Sequence, residues 1–431
     1  MTLRRRSWLA AAGSLALPGC ARRDDGTLRF WAMGREGEVA VQLLDGFERE
    51  HPGLRLRVEQ LPWSAAHEKL LTAFAGDATP DVAQMGNTWL PEMAALDALE
   101  PLAPWMAQTP AISAADHFEG IWQTNTIDGV QLGLPWYVDT RLLFYRRDLL
   151  QRAGIATLPT NWGAWADAMR RLHAGPVPAP ILLPTNEFEP LLALALQQEG
   201  TLLRDGGRRG NFSGEGFRRA LGFYLSLFER GYAPGVSNNE VASVWQEFGR
   251  GSFAFYISGP WNIGEFKRRL PASVQGRWGT APLPGPHGPG ASTAGGSSLV
   301  MFRRSRMKPL AWQLIEYLSR PAVQHRFYRL TGNLPPRRST WALHDADGPA
   351  LADDPYARAF AQQLERVRPA PAVPEWERIA QEMQFAAERA IHRRSSIDIV
   401  VAELDERVDR ILEKRRWMLD RQATAASGAR P

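Results

Sequence analysis

The sequence predicts an α/β protein of two domains, and three observations carry that reading. The chain has 431 residues, more than one hydrophobic core holds. Residues 27–58 read as strand, helix and strand, the unit of a parallel sheet. Residues 133–147, GLPWYVDTRLLFYRR, place an aromatic, charged opening directly before a short apolar run bounded by Gly and Pro, which reads as a buried strand.

In chain order, residues 1–19 carry a basic start, the apolar run 8–17 and small residues, and predict a signal peptide. Leu17-Pro18-Gly19-Cys20 resembles the lipobox of bacterial lipoproteins, which implies that Cys20 is acylated and that residues 20–27 form a lipidated tether. Arg5-Arg6-Ser7-Trp8-Leu9 also resembles a twin-arginine signal, leaving the export route open. Residues 27–32 predict a strand. Val39, Leu43, Leu44 and Phe47 then recur at helical spacing, and the helix is stopped by His51-Pro52-Gly53. Residues 54–58 alternate as a second strand, 65–74 predict an amphipathic helix, and 81–85 a third strand. Asn87 and Trp89 follow that strand's carboxyl end, where open α/β sheets bind ligands, and Glu36 follows the first.

Beside the buried strand at 142–145 stand Trp136, Tyr137, Asp139 and Arg141, two rings with a carboxylate and a guanidinium. Such groups suit a ligand polar at its rim and apolar on its face, as sugars are; an Asp–Arg surface pair is the plainer reading. Further on, Thr160 or Asn161 caps a helix, residues 181–184 read as a strand, and Asn186 and Glu187 sit in a loop that turn chemistry explains equally well. Residues 247–261 read as a helix end, a Gly turn and a strand closing in Gly259-Pro260-Trp261. Residues 297–302 predict another strand. The last helical patterns, at 376–390 and 397–412, predict packing helices, and residues 421–431 a disordered tail.

Composition excludes several classes. A hydrophobic share of 44% and a charged share of 23% are those of a globular protein. The isoelectric point of about 9.5 suggests a polyanion partner. Without Arg4, Arg5 and Arg6, however, the 51 basic residues fall to 48 against 46 acidic ones, with no basic stripe, so no nucleic-acid partner is expected. One cysteine rules out an intramolecular disulfide, and eight scattered histidines imply neither metal nor cofactor. No nucleophile elbow, HExxH or Walker A motif is present, so no enzyme activity is expected. Sixteen tryptophans, most near Gly, Pro, Asn or Asp, would be costly to expose unless each packs or binds something.

Several of these stretches, taken in order, resemble the extracellular solute-binding proteins of bacterial sugar ABC importers (family 1), closest to the maltose/trehalose and oligosaccharide binders. They are FWAMG with Glu36 after it, Pro62-Trp63, AFAGDATPDVAQMGNTWLPE and LPWYVDTRLLFYR, and the likeness runs over nearly the whole mature chain. The resemblance implies a periplasmic-binding-protein-like type II fold, two α/β lobes joined by crossover strands with a ligand cleft between them. Lobe 1 is expected from residues 28–138 and 292–342, lobe 2 from 139–291 and 343–420. It adds Trp63, Trp89 and Trp245 to the candidate ligand set, although helix packing is the stronger reading of Trp245, and Trp261 as the aromatic that stacks on sugar. Gly296 matches the second crossover and Arg337 the loop TGxLPxR, with Arg338 as the neighbouring alternative. The function implied is capture of a di- or oligosaccharide such as maltose or trehalose by cleft closure. The captured sugar would be delivered to permease subunits by a monomer held at the periplasmic or cell surface by its lipid. The alternatives are a secreted carbohydrate-active enzyme and a binder of glycerol 3-phosphate or another polyol.

Overall fold

The computed structural model describes residues 26–175, 177–344, 350–393 and 395–428. The signal peptide, Cys20 and nearly all of the tether expected from the sequence lie outside the described residues. The two main sheets use β1 (Thr27–Met33), β2 (Arg55–Leu61), β3 (Val82–Gly86), β4 (Leu134–Asp139), β5 (Leu142–Arg146), β6 (Ile181–Leu182), β7 (Phe255–Ser258), β8 (Trp278–Ala281) and β9 (Gly295–Met301). The first has the order β2-β1-β3-β9-β4 and the second β8-β5-β7-β6. β1, β2 and β3 run parallel, while β9 is antiparallel to both β3 and β4. In the second sheet β5 is antiparallel to β7 and β8, and β6 is parallel to β7.

Side-chain alternation explains why each sheet is covered twice. In β1, Leu28, Phe30 and Ala32 enter one core, and Trp31 and Met33 enter another on the opposite face. In β5, Leu143 and Tyr145 enter one core of the second sheet, and Leu142 and Phe144 the other. β4 ends at Asp139 in the first sheet and β5 begins at Leu142 in the second, so the chain crosses between sheets at Thr140-Arg141. At the return crossing, Gly295 and Gly296 lie against Asp139 and Val138. A Cβ on Gly296, whose φ is +136°, would stand 2.2 Å from the Tyr137 carbonyl oxygen. Glycine is needed there for one strand to approach another.

Three expectations change. Trp136 faces no cleft: it is fully buried and stacks on Phe327 at 4.5 Å, in the core that also holds most of Tyr137, and a register shift in the pairing of β4 with β9 falls at this point. Phe118, Ile121, Leu334 and Trp341, assigned by sequence to lobe 1, share a core with strands of the second sheet. Residues 421–428 continue a helix, Glu413–Gly428, rather than opening a disordered tail. Earlier in the same helix, Asp420 accepts from Arg208 at 2.7 Å.

Candidate functional site

Between the two sheets lies a cavity of about 460 Å³. Its walls are largely helix beginnings. Glu36 is in the first turn of α1 (Gly34–Glu50), and Trp63 opens α2 (Trp63–Ala75). Glu189 opens α3 (Glu189–Leu196), Trp261 opens α4 (Trp261–Arg269) and Trp376 opens α5 (Trp376–Arg393). Asn87–Trp89 form a 3-10 turn at the end of β3. Helices that begin at strand ends bring their unpaired N–H groups and positive dipole ends to one place, which favours carboxylates there.

The wall from the first sheet is tied together by hydrogen bonds. Asn333 Nδ2 donates to Glu36 Oε1 at 2.7 Å. Burial raises the Glu36 pKa above its ordinary value, although its own backbone N–H, Asn333, Trp63 and Tyr137 all bond its charged form. Gln84 accepts from the Met33 N–H at 2.7 Å and donates to Tyr137 and Ser297; Ser297 Oγ donates to the Tyr137 hydroxyl at 3.1 Å. Burial, with the Glu36 carboxylate nearby, pushes the Tyr137 phenol well above its usual range. Asn87 Nδ2 reaches across to the Ala294 carbonyl at 3.0 Å. Trp63 meets Trp89 edge-on at 5.7 Å, and His67, bonded to Glu92, backs Trp89 at 4.9 Å.

The opposite wall is held by charge. Arg141 donates to Asp139 and, at 2.9 Å, to Glu189 Oε1, and its carbonyl accepts from Ser292 Oγ. Two carboxylates beside the guanidinium hold its pKa above the usual range despite burial. Burial also raises Asp139, against the pull of Arg141. The guanidinium stands 4.8 Å from the Trp261 ring centre.

Nine of the eleven candidate residues therefore line one cavity: Glu36, Trp63, Asn87, Trp89, Tyr137, Asp139, Arg141, Trp261 and Gly296. Two do not. Arg337 is buried away from it and donates to Asp116, to the Ser319 carbonyl and to the Ala111 carbonyl. It anchors a loop, and Arg338 pairs instead with Glu365. Trp245 packs under Arg269 at 4.4 Å and donates to Asn262. Asn186 accepts from the Asn238 backbone N–H and Glu187 from its side-chain amide, a contact between distant parts of the chain rather than a local turn. The sequence reading missed Asn333, Glu189, Trp376 and Glu377, which also line the cavity. Asn333 lies four residues before the arginine chosen from the same loop. Glu189 was signalled only by its place after a short strand and loop, and Trp376 looked like one more residue of a packing helix.

Two sheets facing each other across a cleft of helix beginnings define a two-lobed binding protein of the α/β class. The chain belongs to the family described as bacterial extracellular solute-binding protein, whose model matches residues 33–325. The fold and family expected from the sequence thus hold. Among solved structures the chain is similar to the sugar-binding protein MalE from the phytopathogen Xanthomonas citri. The two are 54% identical with a TM-score of 0.88, over 91% of this chain and 99% of that one. It is 22% identical to the diacetylchitobiose binding protein DasA of Streptomyces coelicolor, over 86% of this chain and 90% of the relative. It is 26% identical to the mannitol-binding protein of Pseudomonas aeruginosa, over 83% of each.

Proposed function

We propose that this protein captures a neutral saccharide, of the di- or oligosaccharide class, in the cleft and hands it to the permease of an ABC importer. One observation carries the reading: Trp63, Trp89 and Trp261 share a cavity of about 460 Å³ with Glu36, Asn87, Asp139, Arg141 and Glu189. Indoles cover the C–H faces of a pyranose, and the carboxylates, amide and guanidinium suit its hydroxyls. The volume falls in the ordinary range of small-ligand sites. Closing the lobes would strip water from these groups and make a missing hydroxyl expensive. The likeness to a sugar-binding MalE supports the same class. Maltose and trehalose are the sugars to test first.

A phosphorylated polyol fits less well. Arg337 lies elsewhere, and Arg141 already serves two carboxylates. A neutral polyol is the second reading, supported by the mannitol-binding relative. We further propose export, lipid anchoring at Cys20 and action as a monomer. If Cys20→Ser left the protein as membrane-associated as before, the anchor would be excluded.

A thermal-shift panel of maltose, trehalose, maltotriose, mannitol and glycerol 3-phosphate tests the ligand class. A ligand at a hundred times its Kd stabilises by about 2.7 kcal/mol. A shift with a neutral saccharide supports the reading. A shift with glycerol 3-phosphate alone would overturn it, and release of products from maltose on long incubation would point to an enzyme.

A further inference from the structure

Each of the three exposed or half-exposed indoles of the cleft lies against a glycine at the carboxyl end of a strand. A Cβ built on Gly34, just after β1, would stand 2.9 Å from Cδ1 of Trp63. One built on Gly86, the last residue of β3, would stand 3.1 Å from Cε2 of Trp89. One built on Gly259, just after β7, would stand 1.9 Å from Cζ3 of Trp261. A real Cβ is not found at the first or third of these distances, and the second is tight.

We propose that Gly34, Gly86 and Gly259 are positioning residues: each is left bare so that a cleft indole rests against its Cα, and this contact sets the angle at which the ring meets the ligand. The inference rests on the reading of the cleft as the ligand site. It adds that the orientation of the rings is fixed from below, before any ligand arrives. Gly259 makes the clearest case. Its φ is not positive, so the backbone there would accept an alanine. What excludes a side chain is the ring. Trp261 is 36% exposed, so the ring can swing away from an added methyl without disturbing a core. Swinging also takes it off Arg141, which now stands over it. Gly34 is doubly constrained, since its φ of +49° already disfavours a side chain. At Gly86 only a small shift of Trp89 is required, but His67 and Trp63 crowd that ring and resist it.

The arrangement predicts that stability and affinity separate. In a packing role, glycine to alanine would lower the melting temperature. In a positioning role it moves a half-exposed ring and leaves the cores alone.

The test uses the full chain and the variants Gly259→Ala, Trp261→Phe, Trp261→Ala and the double variant Gly259→Ala with Trp261→Ala. Acrylamide quenching of tryptophan fluorescence, taken as the difference from Trp261→Phe, reports the exposure of this ring without any ligand. In Gly259→Ala that exposure should rise roughly twofold, as a ring released from its support loses its covered surface. Maltose serves as the binding probe, with trehalose if maltose does not bind. Affinity should fall by about threefold to tenfold in Gly259→Ala, through lost aromatic contact. The melting temperature should stay at the wild-type value, and Gly259→Ala should add nothing to Trp261→Ala. Unchanged quenching in Gly259→Ala overturns the positioning role. So does an affinity loss that persists in the Trp261→Ala background, or a lower melting temperature with wild-type affinity. Failure of the ligand reading looks different: no saccharide binds the wild type, or Trp261→Ala binds as well as wild type. The quenching result then still decides whether the glycine holds the ring.

Discussion

The two walls of the cleft are built by different means. The wall from the first sheet is a hydrogen-bonded lattice in which Met33, Gln84, Ser297, Tyr137, Glu36 and Asn333 are linked in succession. The second wall, at the crossing between the sheets, is an ion cluster, Asp139–Arg141–Glu189, with Trp261 beside the guanidinium. A lattice of neutral donors tolerates the loss of one member by bringing in water. An ion cluster does not tolerate the loss of its shared cation, which strands two like charges. The first wall should therefore be tuned by single substitutions and the second broken by removal of Arg141.

The largest effect is expected at the centre of the second wall. Arg141→Ala leaves Asp139 and Glu189 facing each other with no cation, and a broken buried pair typically destabilises by about 3–5 kcal/mol. Both carboxylates keep some contact with water, with about 30% of each side chain exposed, so the lower end applies. Urea denaturation should show that loss, and sugar affinity should fall with it. Stability within about 1 kcal/mol of wild type would mean that the cluster is solvated and the contrast between the walls is false.

Arg337 sharpens the contrast from outside the cleft. It is as well paired as Arg141, yet it touches no wall of the cavity. Arg337→Ala should destabilise by about 2–3 kcal/mol through stranded Asp116 and two carbonyls, with sugar affinity unchanged. Burial works against the Asp116 charge, but bonds from Ser339 and Arg337 outweigh it and hold the pKa below 3.8. The stability this pair contributes is thus present above that value and is lost as the pH falls through the depressed pKa. An affinity loss at neutral pH, with the fold intact, would return Arg337 to the ligand set.

The same contrast explains what could be read from sequence. Glu36, Asn87 and Trp89 follow the ends of parallel strands, and a strand followed by a turn is a local pattern. Asp139 and Arg141 were legible because they sit two residues apart beside an apolar run. Glu189 and Glu377 join the same cavity from positions some 50 and 240 residues later in the chain. Nothing in their neighbours announces it, since a glutamate at a helix start is common for reasons of capping and dipole alone. Arg337 misled because a cation in a Pro-rich loop looks free until its carbonyl partners are located. Trp136 misled because the sequence does not show how deep each of two adjacent rings lies: both pack against Phe327, and only Tyr137 also reaches the cavity.

The smallest effect, and the most diagnostic of the first wall, is the pH response of Glu36. Burial raises its folded pKa above the ordinary 4.5, so between those two values the folded chain holds a proton that the unfolded chain has lost. Stability therefore falls as pH rises through that window, and the contribution of Glu36 is fully present only below the ordinary value. Sugar binding should run the other way, because the ionised carboxylate is the better acceptor for a hydroxyl and protonation removes an acceptor site. On acidification into the window, wild type should gain stability relative to Glu36→Gln while losing affinity. Asp139, also raised by burial, titrates in both proteins, so the difference isolates Glu36. Urea midpoints and sugar titrations across the same pH series decide it. Parallel pH profiles for wild type and Glu36→Gln would show that water reaches the carboxylate freely, and that the first wall is as solvated as an ordinary surface.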